Sequence, residues 1–220
     1  MLWYLYIILI LSSVIIGLVR RKCLSPSVKL NLALVIVALS VEVLKKFLNE
    51  FQIYFTEHVY MRLELLFWFY YYYLILATNK RLILFGGLLF FTAFMLIINL
   101  FFETDTWGSN YYDFLILSVC VSIWTGIFFS EIMFKPIRYS MRYDGNFWIN
   151  CGNFIFYPGL VFAFGFRNYF KDTSFVIDQL LTVMTRYLNL LLYVFYGIAF
   201  FMERNVKAES LGNSENAIAE

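Results

Sequence analysis

Charge is the first thing this chain has little of. Only 15% of its 220 residues are Asp, Glu, Lys or Arg, against about 25% in soluble domains, which excludes an ordinary water-soluble fold. Histidine is nearly absent. His58 alone leaves too few ligands for a zinc centre of the usual kind and excludes a multi-histidine membrane metalloenzyme. The three cysteines, Cys23, Cys120 and Cys151, are odd in number and widely spaced. They read as small apolar residues, not as a disulfide or metal set. No GxSxG stretch offers a serine nucleophile, and no glycine-rich loop is present to cradle a phosphate. The last apolar segment holds no lysine to which a retinal could attach. A net charge of only +2 gives no basis for a nucleic-acid partner. The chain is therefore expected to be no enzyme and to need no metal or cofactor.

What is abundant is apolar surface. Hydrophobic residues make up 62% of the chain, aromatic residues 22%, and the mean hydropathy is +0.73. That composition suits lipid-facing and interfacial surfaces. Seven apolar stretches, at about residues 2–19, 28–47, 59–77, 82–102, 111–133, 146–166 and 175–202, each approach the ~20 residues a helix needs to cross a bilayer. The predicted fold is all-α: a polytopic bundle of seven transmembrane helices over residues 1–202, then a disordered cytoplasmic tail over 203–220. The first stretch has no positive charge before it and no small-residue cleavage site after it, so it reads as a retained span, not a signal peptide. Orientation follows from the basic residues. The first, third and fifth connections plus the tail carry 11 Lys and Arg, the second, fourth and sixth only 4. By the positive-inside rule the N-terminus lies outside and the C-terminus in the cytoplasm. Every connection is short, which leaves no room for a soluble catalytic domain.

The sixth stretch carries the most pattern. Between Asp144 and Arg167 lie 22 residues without an ionisable charge. Asn146, Asn150, Asn153 and Tyr157 recur at i, i+4, i+7 and i+11, so they share one helical face. Gly152 and Gly159, seven apart, form a second face that a neighbouring helix can approach closely. Pro158 removes one backbone donor and is expected to bend the helix. An amide face, a glycine face and a kink describe a helix inside a bundle, with the amides either binding something or joining helices.

Charged side chains within the apolar stretches mark the candidate sites. Glu42, Glu64, Arg186 and Asn189 are predicted to form a polar cluster in the outer half of the bundle, with Arg186 held by Glu64 or Glu42. On the seventh stretch Asp178, Thr182, Thr185, Asn189, Tyr193 and Tyr196 form one polar stripe, and Arg186 stands beside it. One reading makes this an outward-facing pocket in which Arg186 meets an anion or a counter-ion. The other makes it a buried pair that fixes packing. Arg62, Asp113 and Asp178 are expected to reach the interface. His58 is expected in an interfacial loop, and Tyr70–Tyr73 to face lipid and packing partners.

The segment Phe147–Phe166, FWINCGNFIFYPGLVFAFGF, follows a basic, proline-containing connection with Lys135, Pro136, Arg138 and Arg142. This pattern resembles the uncharacterised small seven-helix membrane proteins often encoded beside bacterial sensor histidine kinases, or forming the membrane part of such kinases. The resemblance implies a sensory or accessory role in a bacterial inner membrane, with the lipid bilayer around it and a signalling partner on the cytoplasmic side. A small transporter or channel using the same charges is the second reading, weakened by the lack of any Pro-Gln pair. A structural or assembly protein is the third.

Overall fold

A few local signals decide where the helices begin. In the computed structural model, which describes residues 2–101, 110–134, 141–170 and 175–203, the chain is all-helical. Among these residues there are seven α-helices and no strand: α1 (Leu2–Val19), α2 (Pro26–Leu44), α3 (Glu50–Ile75), α4 (Arg81–Phe101), α5 (Asn110–Phe134), α6 (Gly145–Phe170) and α7 (Phe175–Met202). Pro26 opens α2, where its fixed φ suits the first turn and its missing N–H is not needed. Asn49 and Gln52 cap α3 reciprocally: Asn49 Oδ1 accepts the Gln52 N–H at 2.9 Å, and Gln52 Oε1 accepts the Asn49 N–H at 3.1 Å. That cap starts α3 at Glu50, well before the apolar run at 59, and corrects the expectation for His58. It lies within a helix, not in a loop.

Six helices close a ring. α1 packs on α2, α2 on α3, α3 on α5, α5 on α6, α6 on α7, and α7 returns to α1. α4 packs against α3 and α5, where the ring of Trp124 lies against Gly87 and a Cβ there would come within 3.1 Å of the indole. Glycine also sets the closest helix pair. Gly152 and Gly159 of α6 both face α7, at Phe195 and Leu188. Ser13 of α1 joins the same helix through a 2.9 Å bond from its hydroxyl to the Tyr193 carbonyl.

Apolar residues lie outside as well as inside. Ile8, Leu11, Leu82, Leu89, Phe90, Phe154 and Phe162 are exposed, as expected of helices whose surroundings are lipid. Among the described residues, four helices are long and apolar enough to cross a membrane: Pro26–Leu44, Asp113–Phe134, Gly145–Phe166 and Gln179–Met202; Tyr4–Val19 is apolar but shorter. The connections carrying Glu103, Asp105, Lys135, Pro136, Arg138 and Lys171, and the tail from residue 204, lie outside the described residues.

Candidate functional site

Five of the six ring helices bring polar side chains together at one end of the bundle, and α5 adds Phe114 and Leu117. A cavity of about 180 Å³ opens there, lined from α1 by Tyr6, from α2 by Glu42, from α3 by Tyr60 and Glu64, from α6 by Tyr157 and from α7 by Asn189 and Tyr193. Three of the four clustered residues expected from the sequence, Glu42, Glu64 and Asn189, line this one cavity. Arg186 does not. It is exposed, off the cavity lining, and in no ion pair with Glu64 or Glu42. The physical reason is angular. Arg186 lies three positions before Asn189, but it flanks the polar stripe of α7 and is turned to the outside of the ring.

Other partners take the role expected of Arg186. Lys45, just past the end of α2, sits between Glu42 at 3.2 Å and Glu57 at 2.9 Å. Burial by itself lowers the Lys45 pKa, but the two carboxylates outweigh it and hold the ammonium above its usual value. Glu64 is 8% exposed and is held by neutral donors. The Tyr157 hydroxyl donates to its Oε1 at 2.7 Å and the Trp68 indole at 3.4 Å. Asp113 stands in the first turn of α5 and does not reach the outer surface of the bundle. It is 1% exposed, and its carboxylate lies 3.0 Å from His58 Nδ1. Arg62 is exposed, and the Asp178 side chain lies outside those described.

Beneath the cavity the axis is filled. Trp68 is buried among the rings of Tyr71, Tyr72, Tyr157 and Tyr196. Of the Tyr70–Tyr73 run, Tyr71 and Tyr72 therefore point into the bundle, Tyr73 is half-buried, and only Tyr70 is exposed. Tyr72 is a hub. Its hydroxyl shares a bond with Thr125, donates to Asn150 Oδ1 at 3.0 Å and accepts from Asn153 Nδ2 at 3.2 Å. Asn153 Oδ1 accepts from Tyr196 at 2.8 Å, and Asn150 Nδ2 donates to Tyr71 at 3.0 Å. Asn150 and Asn153, fully buried, thus join α3, α5, α6 and α7. Pro158 lies on the exposed side of α6, away from this network.

The opposite end is tied by Glu203, which the sequence reading assigned to the tail. The residue is 5% exposed. Its carboxylate accepts the backbone N–H of Ser25, the cap of α2, at 3.2 Å, and that of Gly145, the first residue of α6. Two helix N-termini, each presenting unpaired N–H groups and a partial positive charge, converge on one carboxylate. Arg20 of the α1 end donates to the Glu203 carbonyl at 3.0 Å, and Ser27 donates to Asn146 Oδ1 at 2.8 Å. Burial raises the Glu203 carboxyl above its usual range, against the pull of these donors. A Cβ on Gly145 would meet Val28 and the Ala199 carbonyl at 3.0 and 3.2 Å, so only glycine lets the three helices come this close.

Lys45, Glu57 and Glu203 are the polar residues that sequence reasoning missed. The spacing of Glu42 and Lys45, three apart across the C-terminal end of α2, is a local sign of the first pair. No local sign exists for Glu203, because its partners are 178 and 58 residues away in sequence. Comparison with known proteins yields no matching family model, no similar curated protein and no similar solved structure.

Proposed function

We propose that this chain is an integral membrane sensory or accessory module that takes a small ligand at one end of its helix ring and passes the change to a partner at the other. The observation that carries this reading is the one-ended cavity. Six helices contribute to it, the Trp68 and tyrosine rings fill the axis below it, and the far ends of α1, α2, α6 and α7 are tied together at Glu203. A ligand that shifts any wall of the cavity therefore acts on helices whose other ends share one polar knot. In this reading all seven helices cross a bacterial inner membrane, the cavity faces outside, and the Glu203 end, which carries Arg20, Arg21 and Lys22, faces the cytoplasm. The partner class is a sensor histidine kinase.

The test is reconstitution in nanodiscs with the histidine kinase encoded nearest to it. The autophosphorylation rate is expected to change when the chain is present. A rate indifferent to the chain would overturn the reading.

A transporter is the second reading, and one observation favours it. Polar groups occur in both halves of the ring, from Glu64 and Tyr157 through Asn153, Tyr72 and Asn150 to Asn146 and Ser27. Trp68 would then be the gate. Solute uptake into proteoliposomes, absent from empty vesicles, would decide for it.

A further inference from the structure

The charge of the cavity is the reverse of what Arg186 would have made it. Three carboxylates line it, Glu42, Glu57 and Glu64, and one ammonium, Lys45. Lys45 is already engaged by Glu42 and Glu57 near the mouth, where all three side chains are about a quarter exposed. Glu64 lies deeper and has no basic side chain within ion-pair distance among the described residues. A buried carboxylate held only by neutral donors costs free energy that a cation would offset. An anion entering the same space would meet an excess of negative charge in surroundings that screen it poorly.

The walls narrow the kind of cation. Tyr6, Tyr60, Tyr157 and Tyr193 bring rings and hydroxyls around the space, and Phe114 and Phe156 add further ring surface. Aromatic faces attract cations that carry carbon substituents and are weakly hydrated, whereas a bare metal ion needs several oxygen or nitrogen ligands converging on a point. Among the described residues no group of three or more His, Cys, Asp or Glu is placed to hold a metal ion. The volume of about 180 Å³ is enough for a small organic molecule.

We propose that this cavity binds a small organic cation, an alkylated ammonium, with its charge against Glu64 and its carbon groups against the rings of Tyr60, Tyr157 and Tyr193. The inference rests on reading the cavity as a ligand site and names the ligand class. Lys45 and its two carboxylates form the mouth. Removing the lysine leaves the mouth more negative and favours entry of the cation.

Calorimetric titration of the purified full chain in nanodiscs with tetramethylammonium chloride tests this, against sodium chloride at equal ionic strength. Saturable binding at one site per chain is expected. Glu64→Gln keeps the size and an acceptor oxygen but removes the charge, and should weaken binding about tenfold or more. Lys45→Gln should tighten it at low salt, and it keeps the question open to test where Glu64→Gln fails to fold. The inference is overturned by absence of saturable binding, by equal binding in Glu64→Gln, by weaker binding in Lys45→Gln, or by competition from sodium acetate. A chain that binds no cation yet still changes kinase autophosphorylation would lose only this ligand class. A chain that binds the cation but leaves the kinase unaffected would lose only the signalling role.

Discussion

Two residues, Glu203 and Tyr72, concentrate the polar bonding of the interior, and each makes a prediction. Glu203→Ala leaves the N–H groups of Ser25 and Gly145 without an acceptor at a buried site, which should destabilise the protein by roughly 1–3 kcal/mol. Glu203→Gln retains an acceptor and should cost less, as thermal melts in detergent will read. The pH dependence has a definite sign. Because burial raises the carboxyl above its usual range, the folded protein binds this proton more tightly than the unfolded chain does. That contribution is complete below the ordinary carboxylate pKa of about 4.3 and is lost as pH rises through the raised value. The stability of wild type minus that of Glu203→Gln should therefore fall across this window; a constant difference would return the carboxyl to the ordinary range. Tyr72→Phe strips Asn150 Oδ1 and Asn153 Nδ2 of their shared partner and should cost about 1–3 kcal/mol. Tyr70→Phe, on an exposed ring, should leave the melting temperature nearly unchanged.

At the scale of elements, the α6–α7 contact depends on two glycines that are not equivalent. A Cβ on Gly159 would lie 2.6 Å from Leu188 Cδ1, and one on Gly152 would lie 2.9 Å from Phe195 Cβ. The shorter distance is the more forgiving one. Leu188 Cδ1 is the far end of a side chain that can change rotamer, whereas Phe195 Cβ moves only with its backbone. Gly152→Ala should therefore lower the melting temperature more than Gly159→Ala. Gly159→Leu, which exceeds what Leu188 can yield, should cost roughly 1–3 kcal/mol. Equal effects from the two alanines would mean that α7 shifts as a body and that local clearance does not control the pair.

The whole molecule is a closed six-helix ring with α4 against α3 and α5, a negatively charged cavity at one end and a carboxylate knot at the other. Its orientation in a bilayer is open to direct measurement. Reporter fusions after Lys22, Arg81 and Arg142 should all report cytoplasm, and one after Lys46, beside the cavity mouth, should report the outside. The reverse pattern would turn the cavity toward the cytoplasm and with it the source of any ligand.

Helix formation and apolarity are properties of short stretches, and they were legible directly. The run Leu2–Val19 is α1, and the run from 175 to 202 is α7, because nothing beyond their own residues is needed to satisfy their backbone groups. The capping pair Asn49–Gln52 is equally local, and it, not the onset of apolarity, sets where α3 begins. Facing was legible where a residue has a strong preference of its own. The periodicity of Asn146, Asn150, Asn153 and Tyr157 puts all four on one face; the structure buries the last three and leaves Asn146, in the first turn, half-buried. Partners were not legible. Depth along separate helices pairs Arg186 with Glu64, but which side chains meet depends on the rotation of each helix about its axis. The packing of α6 on α7 and the closing of α7 onto α1 decide that rotation. The same closure makes an interior residue of Glu203, which by composition belongs to a hydrophilic tail. Its burial requires two helix N-termini brought together by the fold, and no window of sequence contains both.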